Sequence, residues 1–151
     1  MGPVPPVTPD TSIQHVTVMG LGRFGGGLGV ARWWLERGAN VLVTDQASAE
    51  SLDESIQRLK SHPRSDRIRF QLGEHRTSDF PSTALVIANP AVPRPWDNPF
   101  LQAAWKAGVP VTTEIAMAVD RLERRRVIGI TGTAGKSTPA AMTHHLLTAC
   151  G

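Results

Sequence analysis

Apolar and polar residues alternate along the chain with periods that outline strands and helices in turn. A short β-branched run at His15–Met19 ends in glycines, and a helical stretch then continues to Arg37 before Gly38. A second apolar strand spans Ala39–Asp45, and Ala49–Ser61 has the spacing of an amphipathic helix. The order strand, turn, helix, strand is that of a βαβ unit.

The same alternation continues through the middle of the chain. We predict further strands at Arg67–Leu72, Ala84–Ala88 and Val109–Thr112, and a helix from Asn98 to Ala107 that Gly108 caps. Alternating strands and helices are typical of parallel α/β sheets. The pattern therefore predicts a Rossmann-like domain.

The region after residue 113 has a different organisation. Apolar positions at Ile115, Ala118, Val119 and Leu122 predict a connecting helix over Glu114–Arg125. A new strand is then expected at 127–131 and a helix at 136–149, with a domain boundary near residue 126. The predicted divisions are a disordered leader at 1–12, a Rossmann-like domain at 13–113, a connecting helix at 114–126 and an incomplete domain at 127–151.

The composition limits the classes of protein to consider. Of 151 residues, 40% are hydrophobic and 19% charged, and no apolar run reaches the roughly 20 residues of a membrane-spanning helix. The aromatic fraction of 5%, without tyrosine, disfavours single-stranded nucleic acid as a partner. One cysteine, Cys150, excludes an internal disulfide and suits a reducing compartment. We expect a cytoplasmic protein that binds neither membrane nor nucleic acid.

The segment GTAGKST, directly after the apolar run VIGI, is a candidate phosphate-binding loop. Gly132 and Gly135 permit the main chain to wrap phosphate oxygens at a helix N-terminus. Lys136 would reach the terminal phosphates, and the Ser137 hydroxyl would bind Mg²⁺. The alternative is an ordinary glycine-rich turn that caps a helix. The residues predicted to bind ATP are Gly132, Thr133, Ala134, Gly135, Lys136, Ser137 and Thr138, with Lys136 and Ser137 as the catalytic groups and Ser137 as the metal ligand.

A second glycine-rich turn follows the first predicted strand. Gly20, Gly22 and Gly25 fit the pattern G-x-G-x-x-G, and Asp45 ends the next strand where an acidic residue would meet a ribose hydroxyl. This pattern alone suggests NAD, but any ligand with a diphosphate, including a nucleotide sugar, could use it. In a third interpretation the glycines serve only close packing of helix on strand.

Several other polar residues are weaker candidates. Asn89, Pro90 and Ala91 follow a predicted strand, at the edge where ligands of open α/β folds bind. Glu74 and His75 also follow a strand and could touch a substrate, but a polar loop pair is the favoured interpretation. For Asn89, Pro90 and Ala91, an ordinary proline turn remains an equal alternative.

Five segments in order carry a resemblance to a known family: VTVMGLGRFGGG, VLVTD, VIANPAVP, AGVPVTTEI and VIGITGTAGKST. Together they resemble the Mur ligases of bacterial cell-wall synthesis, in particular those that add D-glutamate to UDP-N-acetylmuramoyl-L-alanine. In that family the N-terminal domain holds the uridine diphosphate part of the substrate, the central domain holds Mg²⁺ and ATP, and a C-terminal domain brings the amino acid. The resemblance implies the same division here.

The resemblance also implies site residues and a reaction. ATP would phosphorylate the substrate carboxylate, and the amine of D-glutamate would attack the acyl phosphate. Further Mg²⁺ ligands and the D-glutamate pocket would lie outside this chain, and Ala134 replaces the asparagine usual in the loop. The residues implied to bind the UDP substrate are Gly22, Arg23, Phe24, Gly25, Asp45, Gln46, Asn89, Pro90 and Ala91.

Three hypotheses follow from the sequence. The first is a fragment of such a ligase, monomeric at full length, that binds a UDP-sugar but cannot complete the reaction alone. The second is a non-catalytic nucleotide-binding module, and the third is a nicotinamide-dependent oxidoreductase that uses the first glycine-rich turn. The third leaves GTAGKST without a role.

Overall fold

The computed structural model describes residues 13–22 and 25–150, without the side chain of Arg124. The chain divides into two compact units, Met1–Arg121 and Leu122–Gly151. The domain limits predicted from the sequence remain predictions. No helix in the described ranges is long and apolar enough to cross a membrane.

The first unit is built on a parallel sheet of five strands, which confirms the predicted Rossmann-like architecture. The spatial order is β3-β2-β1-β4-β5, so the chain moves outward from β1 first to one side and then to the other. Ligands of open α/β sheets bind at such a switch point, outside the carboxyl ends of the strands. The strands are β1 (His15–Met19), β2 (Asn40–Asp45), β3 (Ile68–Leu72), β4 (Leu85–Ala88) and β5 (Val111–Thr113).

Helices cover both faces of this sheet. Helices α1 (Gly26–Glu36) and α2 (Asp53–Lys60) share one core cluster with Met117 of α4 (Glu114–Val119). Helix α3 (Pro99–Lys106) packs in a second cluster with Met19 of β1 and with Val86 and Ala88 of β4. Burial of alternate strand residues in two separate clusters is expected for a sheet that is covered on both faces.

Specific residues end α1 and begin α3, two of the helices that cover the sheet. Gly38, with φ of +82°, ends α1 as predicted, and Arg64 donates to the carbonyl oxygen of Leu35 in the last turn of that helix at 3.0 Å. Asn98 caps α3 by accepting hydrogen bonds from the N–H groups of Phe100 and Leu101 at 3.1 and 3.2 Å. Trp34, on α1, is 1% exposed, as expected for a core residue.

The predicted connecting helix over Glu114–Arg125 is too long. Helix α4 ends at Val119, and a separate 3₁₀ turn occupies Arg124–Arg126. The apolar positions that predicted the longer helix are not buried. Ile115 is 61% exposed and Leu122 is 52% exposed. Helices this short depend on packing for their stability, so a stripe without burial does not extend the helix.

The strand predicted at 127–131 is also wrong. These residues do not form a strand, and no strand in the described ranges pairs with them. A strand needs a neighbour to satisfy its N–H and C=O groups. The second unit nevertheless has a helix, α5 (Ser137–Cys150), close to the predicted limits.

Candidate functional site

The first glycine-rich turn leaves β1 at the carboxyl edge of the sheet. Gly20 and Gly22 have φ of +91° and +66°, and the N–H of Gly20 donates to the carbonyl oxygen of Thr44 at 2.8 Å. A Cβ built on Gly20 would lie 2.8 Å from the Cβ of Asn89, closer than carbon atoms approach without a shift. Both the left-handed conformation and the close neighbour therefore require glycine at position 20.

The glycine that lets α1 pack against this turn is Gly27, outside the G-x-G-x-x-G pattern. A Cβ on Gly27 would lie 2.3 Å from the carbonyl oxygen of Gly20 and 2.6 Å from that of Leu21. Gly25 instead has φ of +87° and is the N-cap of α1. The glycines thus have separate roles, conformation at 20, 22 and 25 and close packing at 27.

The Asp45 carboxylate holds the turn together. Its Oδ2 accepts hydrogen bonds from the N–H groups of Leu21 and Gly22 at 2.8 and 3.2 Å, and its Oδ1 accepts one from Ala47 at 2.9 Å. Three main-chain donors orient the carboxylate, and each oxygen can still accept from a ligand. Asp45 thus has a structural role that the sequence pattern did not predict.

Asn89 reaches across to the same turn from the end of β4. Its main-chain N–H donates to the carbonyl oxygen of Met19 at 2.8 Å, and its Oδ1 accepts from the N–H of Ala91 at 2.9 Å. Its Nδ2 lies 3.5 Å from the carbonyl oxygen of Gly20. The loop after β4 is therefore joined to the glycine-rich turn after β1.

The structure brings together three of the predicted UDP-binding positions, Gly22, Asp45 and Asn89, at the ends of the adjacent strands β1, β2 and β4. The other described residues of the prediction flank them: Gly25 is partly buried, and Gln46, Pro90 and Ala91 are exposed. Arg23 and Phe24 lie outside the described residues.

His75 is a member of this edge that the sequence reasoning set aside. Its Nδ1 is 2.8 Å from the hydroxyl oxygen of Thr44, and its ring lies edge-on to Phe100 with centroids 5.1 Å apart. Burial lowers the pKa of His75 below 6.5, and the nearby Asp45 carboxylate opposes this shift. The position of His75 three residues after the end of β3 was the available signal, but the pairing with Thr44 depends on how the loop after β3 folds.

The second candidate site is the loop before α5. Gly132 and Gly135 have φ of +152° and +75°, and Lys136 Nζ donates to the carbonyl oxygen of Gly132 at 2.6 Å. Helix α5 begins at Ser137, and all seven residues of the predicted loop are exposed. In the described ranges, no group of three or more His, Cys, Asp or Glu side chains could hold a metal ion.

Comparison with known proteins decides the family. The family described as "Mur ligase MurD-like, N-terminal domain" matches residues 14–113, which is the part of the chain that contains the whole sheet. The chain belongs to the Mur ligase family. This result confirms the resemblance inferred from the sequence segments.

Curated relatives match a longer part of the chain. A UDP-N-acetylmuramoylalanine–D-glutamate ligase of Treponema pallidum is 40% identical over 138 residues, which are 91% of this chain and 25% of the relative. The protein of the same name from Roseiflexus is 42% identical over 134 residues, 89% of this chain and 27% of the relative. The chain spans about a quarter of the length of these relatives.

A solved structure supports the fold. The structure of a pseudomurein peptide ligase type C from Methanothermus fervidus matches with a TM-score of 0.51 and 23% identity. The match covers 91% of this chain and 27% of the solved chain.

Proposed function

We propose that this chain is the N-terminal part of an ATP-dependent ligase of peptidoglycan precursor synthesis, which adds D-glutamate to UDP-N-acetylmuramoyl-L-alanine. The names of the curated relatives support this ligase type. The proposal includes a cytoplasmic location and a full-length monomer. The observation that carries it is the convergence of the turn after β1, Asp45 and Asn89 at one edge of the sheet.

At this edge the uridine diphosphate part of the substrate would bind. Asp45, held by three main-chain N–H groups, presents acceptor oxygens that suit the N–H and hydroxyl groups of a uridine. Asn89 and the exposed residues that follow it form the other side of the edge. The proposed UDP-substrate site keeps all the positions implied by the family resemblance, from Gly22–Gly25 through Asp45 and Gln46 to Asn89–Ala91.

The loop Gly132–Thr138 would bind the phosphates of ATP. Two glycines with positive φ and a lysine directly before a helix of 14 residues support this proposal. The Ser137 hydroxyl fits Mg²⁺ as one oxygen ligand, and the ATP phosphates, water and residues outside this chain would complete the coordination. Mg²⁺ would neutralise charge on the phosphates, and Lys136 would do the same from the protein. This loop and α5 would open a P-loop domain.

The reaction would proceed in two steps. The carboxylate of the L-alanine residue attacks the γ-phosphorus of ATP, which releases ADP and gives an acyl phosphate. The amine of D-glutamate then attacks the acyl carbon, inorganic phosphate leaves, and an amide bond forms with loss of the amine proton. Because the chain spans about a quarter of its curated relatives, we propose that the D-glutamate pocket and the remaining metal ligands belong to other parts of the full-length protein and that this chain binds substrate without turnover.

Calorimetric titration of the 151-residue chain with UDP-N-acetylmuramoyl-L-alanine tests the proposal. We expect saturable binding that Asp45→Asn weakens by about tenfold, because the amide loses charge-assisted hydrogen bonds worth about 1.5–3 kcal/mol each. Asp53→Asn is the matched control, since it makes the same change on the exposed start of α2. Absence of binding to the folded wild-type chain, or equal binding by the Asp45→Asn and Asp53→Asn variants, would contradict the proposal.

A further inference from the structure

The loop after β3 is attached to the end of β2, the strand that carries Asp45. The Nδ1 atom of His75 lies 2.8 Å from the hydroxyl oxygen of Thr44, which is completely buried. In the described part of the chain, this hydroxyl has no other hydrogen-bond partner. The N–H of Gly73, in the same loop, donates to the carbonyl oxygen of Ala47 at 3.0 Å. Two hydrogen bonds thus join the loop to residues on either side of Asp45.

Aromatic packing fixes the other side of the His75 ring. The ring lies edge-on to Phe100 of α3, with centroids 5.1 Å apart, and edge-on to the buried Phe80 at 6.2 Å. Phe80 and Phe100 stack on each other with centroids 5.5 Å apart. Edge-to-face aromatic pairs at such distances are favourable, and they restrict the orientation of the imidazole. The His75 side chain is therefore held between the end of β2 and the start of α3.

Thr44 connects His75 to the candidate substrate site. Its carbonyl oxygen accepts the N–H of Gly20 at 2.8 Å, and Asp45 follows it directly in the chain. The Asp45 carboxylate in turn accepts two N–H groups of the glycine-rich turn, at 2.8 and 3.2 Å. A buried hydroxyl without a partner is costly, so this end of β2 would shift if His75 no longer met Thr44. His75 thus supports the position of Asp45 through Thr44.

We propose that His75 is a positioning residue of the UDP-substrate site, which acts through Thr44 to hold Asp45 where it accepts hydrogen bonds from the uridine. The inference rests on the proposed function for the identity of that ligand. The positioning itself is a property of the free chain, so it can be measured without ligand.

Amide ¹H–¹⁵N NMR spectra of the free 151-residue chain test the positioning. His75→Leu removes the hydrogen bond, so we expect the signals of Leu21 and Gly22, which donate to Asp45, to shift. His75→Asn places an amide group near the position of Nδ1 that can donate or accept, so it should leave both signals near their wild-type positions. His15→Asn, the same change at the exposed start of β1, is the matched control. Unmoved signals in a folded His75→Leu variant, or equal shifts in His75→Asn, would overturn the inference.

Calorimetric titration with UDP-N-acetylmuramoyl-L-alanine tests the consequence for binding. At pH 8 we expect His75→Leu to bind about two- to tenfold more weakly than wild type, the range expected for the loss of one hydrogen bond. His75→Asn should recover most of the affinity, and His15→Asn should match wild type. Equal affinity in wild type and a folded His75→Leu variant would overturn the inference.

The pH dependence of binding separates positioning from a purely structural role. Burial lowers the pKa of His75, and the Asp45 carboxylate opposes that shift. Uridine, a neutral probe, would bury His75 further, so it should lower that pKa again and bind the neutral imidazole better. We expect the affinity of wild type for uridine to fall about fivefold relative to His75→Asn as the pH falls through this pKa. The other charged residues of the loop, Glu74, Arg76 and Asp79, are the same in both proteins, so the difference isolates His75.

The remaining outcomes are also decisive. The same pH profile for uridine in wild type and His75→Asn would overturn the inference. If His75→Leu does not fold, the ¹H NMR titration of the His75 ring in the wild-type chain replaces it. The pKa of the ring should fall when uridine saturates the site, and an unchanged or raised pKa would contradict the proposal. A wild-type chain that fails to bind the UDP-linked substrate, while the signals of Leu21 and Gly22 respond to His75→Leu as expected, would count against the proposed function alone.

Discussion

Gly27 and Gly29 lie in the same helix and differ in their surroundings. A Cβ on Gly27 would overlap main-chain atoms of Gly20 and Leu21, whereas one on Gly29 would meet nothing within 4 Å. Main-chain atoms cannot move aside without displacing the turn after β1. The close contact between α1 and the turn after β1 therefore depends on Gly27, which lies outside the G-x-G-x-x-G motif.

This difference predicts opposite effects of the same substitution. Gly27→Ala should destabilise the chain by about 1–3 kcal/mol through overpacking. Gly29→Ala should stabilise it by about 0.5–1 kcal/mol, because alanine loses less conformational entropy in a helix interior. Urea unfolding of both variants measures the two changes. A stable Gly27→Ala variant with unchanged UDP-sugar affinity would show that the turn is not packed as described.

The Thr44–His75 pair predicts a pH dependence of stability. Burial lowers the pKa of His75 in the folded chain below the ordinary value of 6.5, so the unfolded chain binds the proton more readily. The contribution of His75 to stability should be complete above pH 6.5 and should be lost as the pH falls through the lowered pKa of the folded state. Unfolding curves at pH 8 and at successively lower pH values would show this loss.

The variant His75→Gln isolates this effect from other titrating groups. We expect its stability to fall less than that of wild type between pH 8 and the acid end of the series. His62→Gln, a change in the turn after α2, should keep the wild-type slope. Parallel curves for wild type and His75→Gln would contradict the assignment.

At the scale of elements, helix α4 packs into the core through one face and leaves another face exposed. Met117 is 4% exposed and lies in the core cluster, whereas Ile115 on the same helix is mostly exposed. The apolar stripe in the sequence could not reveal this, because periodicity indicates a helix face but not whether another element covers it.

Substitutions on the two sides of α4 should therefore differ. Met117→Ala should cost about 2–5 kcal/mol of unfolding free energy, as for other buried large-to-small changes. Ile115→Ala should stay within about 0.5 kcal/mol of wild type, as exposed substitutions usually do. Thermal or urea unfolding gives both values. A large loss in the Ile115 variant would mean that its side chain is covered in solution.

The five strands of the sheet could be predicted from the sequence, because each is a short stretch rich in apolar or β-branched residues and bounded by glycine, proline or polar residues. The strand expected at 127–131 has the same local pattern but no described partner, so local pattern alone did not decide it. The grouping of Gly22, Asp45 and Asn89 followed from the parallel order of strands. The three N–H donors on Asp45, and the pairing of His75 with Thr44, depend on three-dimensional packing that no sequence motif encodes.

At the scale of the whole molecule, two units carry the two candidate sites. The sheet and its carboxyl edge belong to the unit Met1–Arg121, and the loop with Lys136 belongs to the unit Leu122–Gly151. The chain covers about a quarter of its curated relatives, so the ligase reaction is proposed for a longer protein. Within this chain, substrate binding is the property that can be measured directly.

The central claim is that the carboxyl edge of the sheet binds the UDP-linked substrate. Amide ¹H–¹⁵N NMR spectra of the chain, recorded during titration with UDP-N-acetylmuramoyl-L-alanine, test it most directly. We predict that the largest shifts cluster at Gly20–Gly22, Asp45–Gln46 and Asn89–Ala91, and that equimolar NADH does not produce them. Shifts confined to residues at the opposite, amino-terminal edge of the sheet, or a stronger response to NADH than to the UDP-linked compound, would contradict the account.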